Sequence, residues 1–202
     1  MANNFDKIRN FLNFKNKNDF YFIQIIKRRK ENPDPKTNSK IVRDIYIHSL
    51  EDFDKKIDNI KYLCEIEKAR AYIRLNKRDS KKVGLQMLKR ITDLIISENY
   101  KAICNIYPSV AGEFSSDEDK TWIIDIDDFN LIPEPTFKKI CQDLTDLQVG
   151  TGRQPLVEII PTKNGIHLIT RPFNIAKAQV LHPEILNKEN IKKDSPTLLF
   201  CF

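Results

Sequence analysis

Apolar residues in this 202-residue chain switch repeatedly between a period of two and a helical period, and the order of those switches constrains the fold more than any other feature. Residues 20–27 (FYFIQIIK) are rich in aromatic and β-branched side chains and read as a strand. Residues 28–40 are polar, contain two prolines and read as an exposed loop. Residues 41–48 (IVRDIYIH) alternate as a second strand. Ser49 then suits a helix N-cap, with Glu51 and Asp52 in the first turn and a stripe of Leu50, Phe53, Ile57, Ile60 and Leu63 running to about Ala69. Residues 70–75 (RAYIRL) read as a short strand. Asp79 or Ser80 caps a helix over 81–97, whose apolar positions are Val83, Met87, Ile91, Leu94 and Ile95. Further on, strands are expected at 122–127 (WIIDID), 156–160 (LVEII), 166–170 (IHLIT) and 196–202 (PTLLFCF), and a helix at 135–147. This order predicts an α+β (mixed α/β) fold around a central sheet. The length suits one domain, 1–202, with an N-terminal α/β unit at 1–115 and a motif-bearing half at 116–202.

Several classes drop out. No run of about 18 apolar residues is present, so no membrane partner is expected. The first 18 residues alternate charged, amide and aromatic side chains, unlike a signal peptide. Cys64, Cys104, Cys141 and Cys201 form no CxxC and sit at no zinc spacing, so they are expected to be reduced and mostly buried, in the cytoplasm or a host-cell cytoplasm. No GxxxxGK[ST], HExxH or GxSxG is present.

The net charge of +6 is unevenly spread. Residues 1–43 carry eleven Lys/Arg against four Asp/Glu, residues 66–101 ten against four, and residues 102–162 four against eleven. Basic surface beside an acidic cluster suits a metal-dependent enzyme acting on a polyanion, because cations hold phosphates and carboxylates hold divalent ions.

The chemistry concentrates in three places. In WIIDIDD, Asp125 and Asp127 share one face of a strand, and Asp128 falls beyond its end. Two such carboxylates repel unless a cation lies between them, and Mg²⁺ or Mn²⁺ prefers oxygen ligands. Otherwise the segment is a strand running out into a polar turn. In TKNGIH, Lys163, Asn164 and Gly165 make a tight turn and His167 enters the next strand. Thr162 and Lys163 could meet a phosphate, and His167 a phosphate oxygen or a metal's outer shell. Asp194 precedes the last strand, as a third carboxylate for two-metal phosphoryl transfer or as a turn residue.

The succession Asp125-Ile126-Asp127, then Thr162 to His167, then Asp194 resembles the archaeo-eukaryotic primase superfamily, which includes primase-polymerases. The resemblance covers roughly 120–200 by motif. It implies an RRM-like palm sheet flanked by helices, with an N-terminal α/β unit. It implies metal binding by Asp125, Asp127 and Asp194, and triphosphate binding by Thr162, Lys163 and His167. Nucleotides would then be transferred on single-stranded DNA in a viral or mobile-element replication system, with a helicase or other replication protein as partner. Thr162 stands where the family usually has serine, and the chain runs eight residues past Asp194.

Two clusters are candidates for nucleic-acid contact: Lys27, Arg28, Arg29 and Lys30, and Arg74, Lys77, Arg78, Lys81 and Lys82. Phe20, Tyr21, Phe22 and Tyr72 could stack bases. Two other readings stay open: a primase-like subunit with a decayed site that binds nucleic acid or a partner, and a haloacid dehalogenase-type phosphohydrolase, against which Phe129 stands two residues beyond Asp127.

Overall fold

The period-two segments form two antiparallel sheets, where the sequence suggests one. The computed structural model describes residues 2–31, 38–115, 119–127, 129–148 and 154–202. Asp128 and residues 32–37 of the expected loop lie outside the described residues. In chain order the elements are β1 (Ala2–Asn3), α1 (Phe5–Arg9), β2 (Asp19–Lys27), β3 (Lys40–Ile47), α2 (Leu50–Glu67), β4 (Arg70–Asp79), α3 (Ser80–Ile96), α4 (Ile106–Glu113), β5 (Trp122–Asp127), α5 (Glu134–Asp146), β6 (Val157–Pro161), β7 (Gly165–Thr170), α6 (Ile175–Leu181), β8 (Ile191–Lys192) and β9 (Thr197–Cys201). Short 3₁₀ turns lie at Arg29–Glu31, Tyr100–Asn105 and Phe129–Leu131. The architecture is mixed α/β. No helix among the described residues is long and apolar enough to cross a membrane.

The first sheet has the order β1-β9-β4-β2-β3 and the second the order β6-β7-β5-β8. The second runs β-α-β-β-α-β along the chain, from β5 to β8. The last strand, β9, leaves the motif-bearing half and pairs antiparallel with both β4 and β1 in the first sheet.

Local signals set the helix starts. The Ser49 hydroxyl accepts from the Asp52 backbone N–H at 3.0 Å, and Asp79 accepts from that of Lys82 at 2.9 Å. The α2 helix lays Phe53, Ile60 and Cys64 against Ile23, Ile25, Ile45, Ile47, Ala71 and Ile73. Each fully buried Phe or Ile of this kind contributes about 1.5–3 kcal/mol relative to exposure. Ile123, Ile160 and Ile169 of the second sheet join this same core. On the other side of that sheet, Ile124, Ile126, Ile166 and Leu168 pack with Phe137, Ile140, Leu144 and Ala178 of α5 and α6. Alternation along β5 therefore sends its even residues to the helices and its odd residues, Asp125 and Asp127 among them, toward the first sheet.

The four cysteines are free; Cys64 and Cys201 are buried, Cys141 is half-buried and Cys104 is exposed, so burial holds for fewer of them than expected.

Candidate functional site

β5 and β7 pair with Asp125 opposite His167 and Asp127 opposite Gly165. The first two motifs thus meet on one sheet face. His167 Nε2 lies 3.3 Å from Asp125 Oδ1, and Nδ1 lies 2.8 Å from the hydroxyl of Thr197. An ionised carboxylate only accepts, so Nε2 carries the proton and, in the neutral ring, the Thr197 hydroxyl donates to Nδ1. Thr197 is fully buried at the start of β9, so the first sheet orients a ring that belongs to the second. The hydrogen bond from His167 outweighs burial and, with Lys192 and Arg28 nearby, holds the Asp125 carboxyl below its ordinary range.

The turn before β7 closes as its residue types suggest. The Gly165 N–H donates to Thr162 Oγ1 at 3.1 Å, and the Thr162 N–H donates to the Gly165 carbonyl at 2.9 Å. Glycine is required for a steric reason: a Cβ at Gly165 would fall 2.0 Å from the Ile126 carbonyl oxygen. Gly165→Ala is expected to destabilise the chain by about 1–3 kcal/mol through forced strand displacement, read as a lower urea midpoint. An unchanged midpoint would contradict this close approach.

Asp125 and His167 line two adjoining hollows. One, of about 360 Å³, also takes in Ile26, Arg28, Tyr72, Lys192, Ser195 and Pro196. The other, of about 140 Å³, takes in Arg28, Arg70, Tyr72, Asp127, Thr162, Lys163 and Asn164. Together they form a cleft with acidic groups on the second sheet and cations from both sheets. Lys192, Arg70, Ser195 and Thr197 are site residues that motif reading misses. Lys192 had one usable signal, its place beside Asp194, but β8 is only two residues long.

Asp194 does not join Asp125 and Asp127. Its carboxylate accepts from Arg78 Nη2 at 2.8 Å, from Arg78 Nη1 at 3.3 Å and from Asn76 Nδ2 at 3.0 Å, and its carbonyl accepts from Arg74. It lines neither hollow. Among the described residues, no three His, Cys, Asp or Glu side chains group as a metal-holding set. Asp125 and Asp127 supply two carboxylates on one strand face, the donor type that Mg²⁺ or Mn²⁺ prefers. Such an ion is commonly held by one or two carboxylates, with water and substrate phosphates completing the shell. Asp194 does not fit that role.

The second basic cluster also needs correction. Lys77 is 3% exposed and pairs with Asp19 at 2.8 Å. Arg78 is fully buried and donates to the carbonyls of Ala111 at 2.7 Å and Gly112 at 3.2 Å, and to that of Asn76. Neither can meet a polyanion, because buried charges are kept by their partners. Arg74 is half-buried and lines a separate groove with Phe22, Gln24, Arg43 and Asp44. Lys81 and Lys82 remain exposed at the start of α3. In the first cluster Arg28 enters the cleft, donating to the Tyr72 hydroxyl at 3.5 Å; Lys27 is half-buried, and Arg29 and Lys30 are exposed. Of the stacking candidates, Phe20, Tyr21 and Phe22 are core, and Tyr72 alone of the four lines the cleft.

The Lys77–Asp19 pair has a pH signature. Burial would raise the Asp19 carboxyl, but the Lys77 ammonium and the backbone N–H groups of Asn16 and Lys15 outweigh it, and its pKa falls below the ordinary value. A depressed folded pKa stabilises above the ordinary carboxylate range, and that contribution is lost as pH falls through the folded value. Asp19→Asn is therefore expected to lower stability at neutral pH, with the gap from the parent closing in acid, as urea midpoints across pH would read. A gap independent of pH would contradict it.

In comparisons with known proteins, the chain matches no family model, no curated protein and no solved structure.

Proposed function

We propose that this chain is a primase/polymerase-like nucleotidyltransferase that extends or starts a strand on a single-stranded DNA template. One observation carries the proposal: Asp125 and Asp127 stand on one strand face, beside a histidine fixed at both ring nitrogens, in a cleft whose cationic groups are Arg28, Arg70, Lys163 and Lys192. Carboxylates for a divalent ion next to cations for phosphates are what phosphoryl transfer needs. The β-α-β-β-α-β succession and the order β6-β7-β5-β8 support an RRM-like palm as the second sheet.

Asp125 and Asp127 would hold Mg²⁺ or Mn²⁺. When bound, such an ion lowers the pKa of an attacking hydroxyl and offsets charge on the leaving pyrophosphate. His167 acts first as a positioning residue: its Nε2–H keeps the Asp125 carboxylate ionised and aimed. Lys163, Thr162 and Asn164, on the turn beside it, present an ammonium, a hydroxyl and an amide to a polyphosphate. Arg28 and Lys192 extend positive charge along the larger hollow, where a template or primer phosphate would lie.

The test is nucleotide incorporation on single-stranded DNA with Mn²⁺ or Mg²⁺, run beside an Asp125→Ala, Asp127→Ala double variant. Incorporation that disappears in the variant supports the proposal. No incorporation, with salt-sensitive DNA binding retained, favours a second reading: a primase-like binding subunit without transfer activity, working with a replication partner. The engagement of Asp194 by Arg78 and Asn76 favours that reading, since it removes the third carboxylate from the cleft.

A further inference from the structure

Two cations that line the smaller hollow, Arg70 and Lys163, share one carboxylate, that of Glu31. Glu31 comes from the 3₁₀ turn after β2, Arg70 opens β4, and Lys163 lies on the turn between β6 and β7. These three distant segments converge on one carboxylate. Arg70, 8% exposed, donates from Nε to Glu31 Oε2 at 2.9 Å and from Nη2 to Oε1. Lys163 Nζ lies 2.7 Å from the same Oε1. The forked guanidinium fits a carboxylate and a phosphate equally well.

We infer that Glu31 acts as a built-in competitor at this subsite, and that the terminal polyphosphate of a nucleotide binds by drawing Arg70 and Lys163 away from it. The inference rests on the cleft being the nucleotide site proposed above. Arg70 and Lys163 line the smaller hollow together with Asp125, Asp127, Thr162 and Asn164, so an anion entering there reaches for the same two donors. Lys163 is half-exposed, so its pairing with Glu31 adds little to stability and it is easily redirected. A polyphosphate carries more charge and more acceptor oxygens than one carboxylate, and it would be repelled by Glu31 left in place. Burial pushes the Glu31 carboxyl up, but Arg70 and Lys163 bring it below its ordinary range, so the competition is between two anions. The consequence is a threshold: a monophosphate competes poorly and a triphosphate competes well.

The experiment is isothermal titration of inorganic tripolyphosphate, in chelator, into the parent chain, Glu31→Gln and Lys163→Gln. Glu31→Gln is expected to bind about tenfold more tightly, the worth of one charge-assisted interaction no longer opposed. Lys163→Gln, on an exposed turn, is expected to bind severalfold more weakly with an unchanged melting temperature. Equal or weaker binding by a folded Glu31→Gln overturns the inference, and so does absence of binding in both it and the parent. Should Glu31→Gln fail to fold, Lys163→Gln decides, and unchanged binding by it overturns the inference. A gain seen with a single-stranded oligonucleotide but not with tripolyphosphate would assign the subsite to backbone phosphate and overturn it as stated. The expected shifts without nucleotide incorporation would sink the transferase proposal and leave the subsite standing. Incorporation without the shifts would do the reverse.

Discussion

Arg78→Ala is expected to destabilise the chain by about 3–5 kcal/mol, the cost of breaking a buried ion pair from one side. The guanidinium is fully buried and ties Asp194 to the carbonyls of Ala111, Gly112 and Asn76. It therefore joins β4, α4 and the segment entering β9. Burial lowers the Arg78 pKa while Asp194 opposes that shift, and the group stays charged at any ordinary pH. Asp194→Asn should cost less, about 1–3 kcal/mol, because the amide oxygen still accepts. The double variant should lose less than the sum of the single ones, as expected for residues in contact. Chemical denaturation of the three variants checks this. An Asp194→Asn chain with parental stability and no incorporation would instead make Asp194 a ligand that leaves Arg78 during turnover.

The second large effect is on activity. Asp125→Asn and Asp127→Asn are each expected to reduce incorporation by about 100- to 1,000-fold, the scale seen when one preorganised electrostatic group is lost from an active site. Stability should hardly move. Asp127 is exposed, and an asparagine at 125 still accepts the hydrogen bond from His167 Nε2. If both carboxylates hold one ion, the double variant should be little worse than either single one. Multiplicative losses would point to separate roles. A variant that unfolds would place these residues with the Arg78 clamp.

The strands that carry the first two motifs are legible because they are short isoleucine-rich runs bounded by polar turns, with Asp125-Ile126-Asp127 and Ile166-His167-Leu168 alternating within them. Ser49 and Asp79 announce their helices because a side-chain acceptor placed before an apolar stripe has one economical use. The sequence reading ends the third strand at Leu75, whereas β4 runs on to Asp79. Asn76, Lys77 and Arg78 look like loop residues, yet each is buried because a distant partner satisfies it: Thr121, Asp19 and Asp194 respectively. Local periodicity carries no trace of such partners. For the same reason the basic cluster read at 74–82 includes two buried cations, Lys77 and Arg78, beside the exposed Lys81 and Lys82, and Asp194 is grouped with carboxylates from which Arg78 and Asn76 hold it apart. The α4 helix hides behind Pro108, and β8 and α6 are too short for periodicity to register.

The stretch from β5 to β8 is tied to the first sheet at its exit, where β9 lies between β1 and β4, and at its entry, where Thr121 bonds Asn76 of β4. Parting the two sheets would also break the core that Ile123, Ile160 and Ile169 share with the first sheet and the hydrogen bonds His167–Thr197 and Asn76–Thr121. A ligand entering the cleft is therefore met by side chains that trade partners more readily than by sheets that move apart. The order of assembly is also constrained: the β4–β9 ladder pairs residues 71–73 with 197–200, so it cannot close until the long intervening stretch has been made.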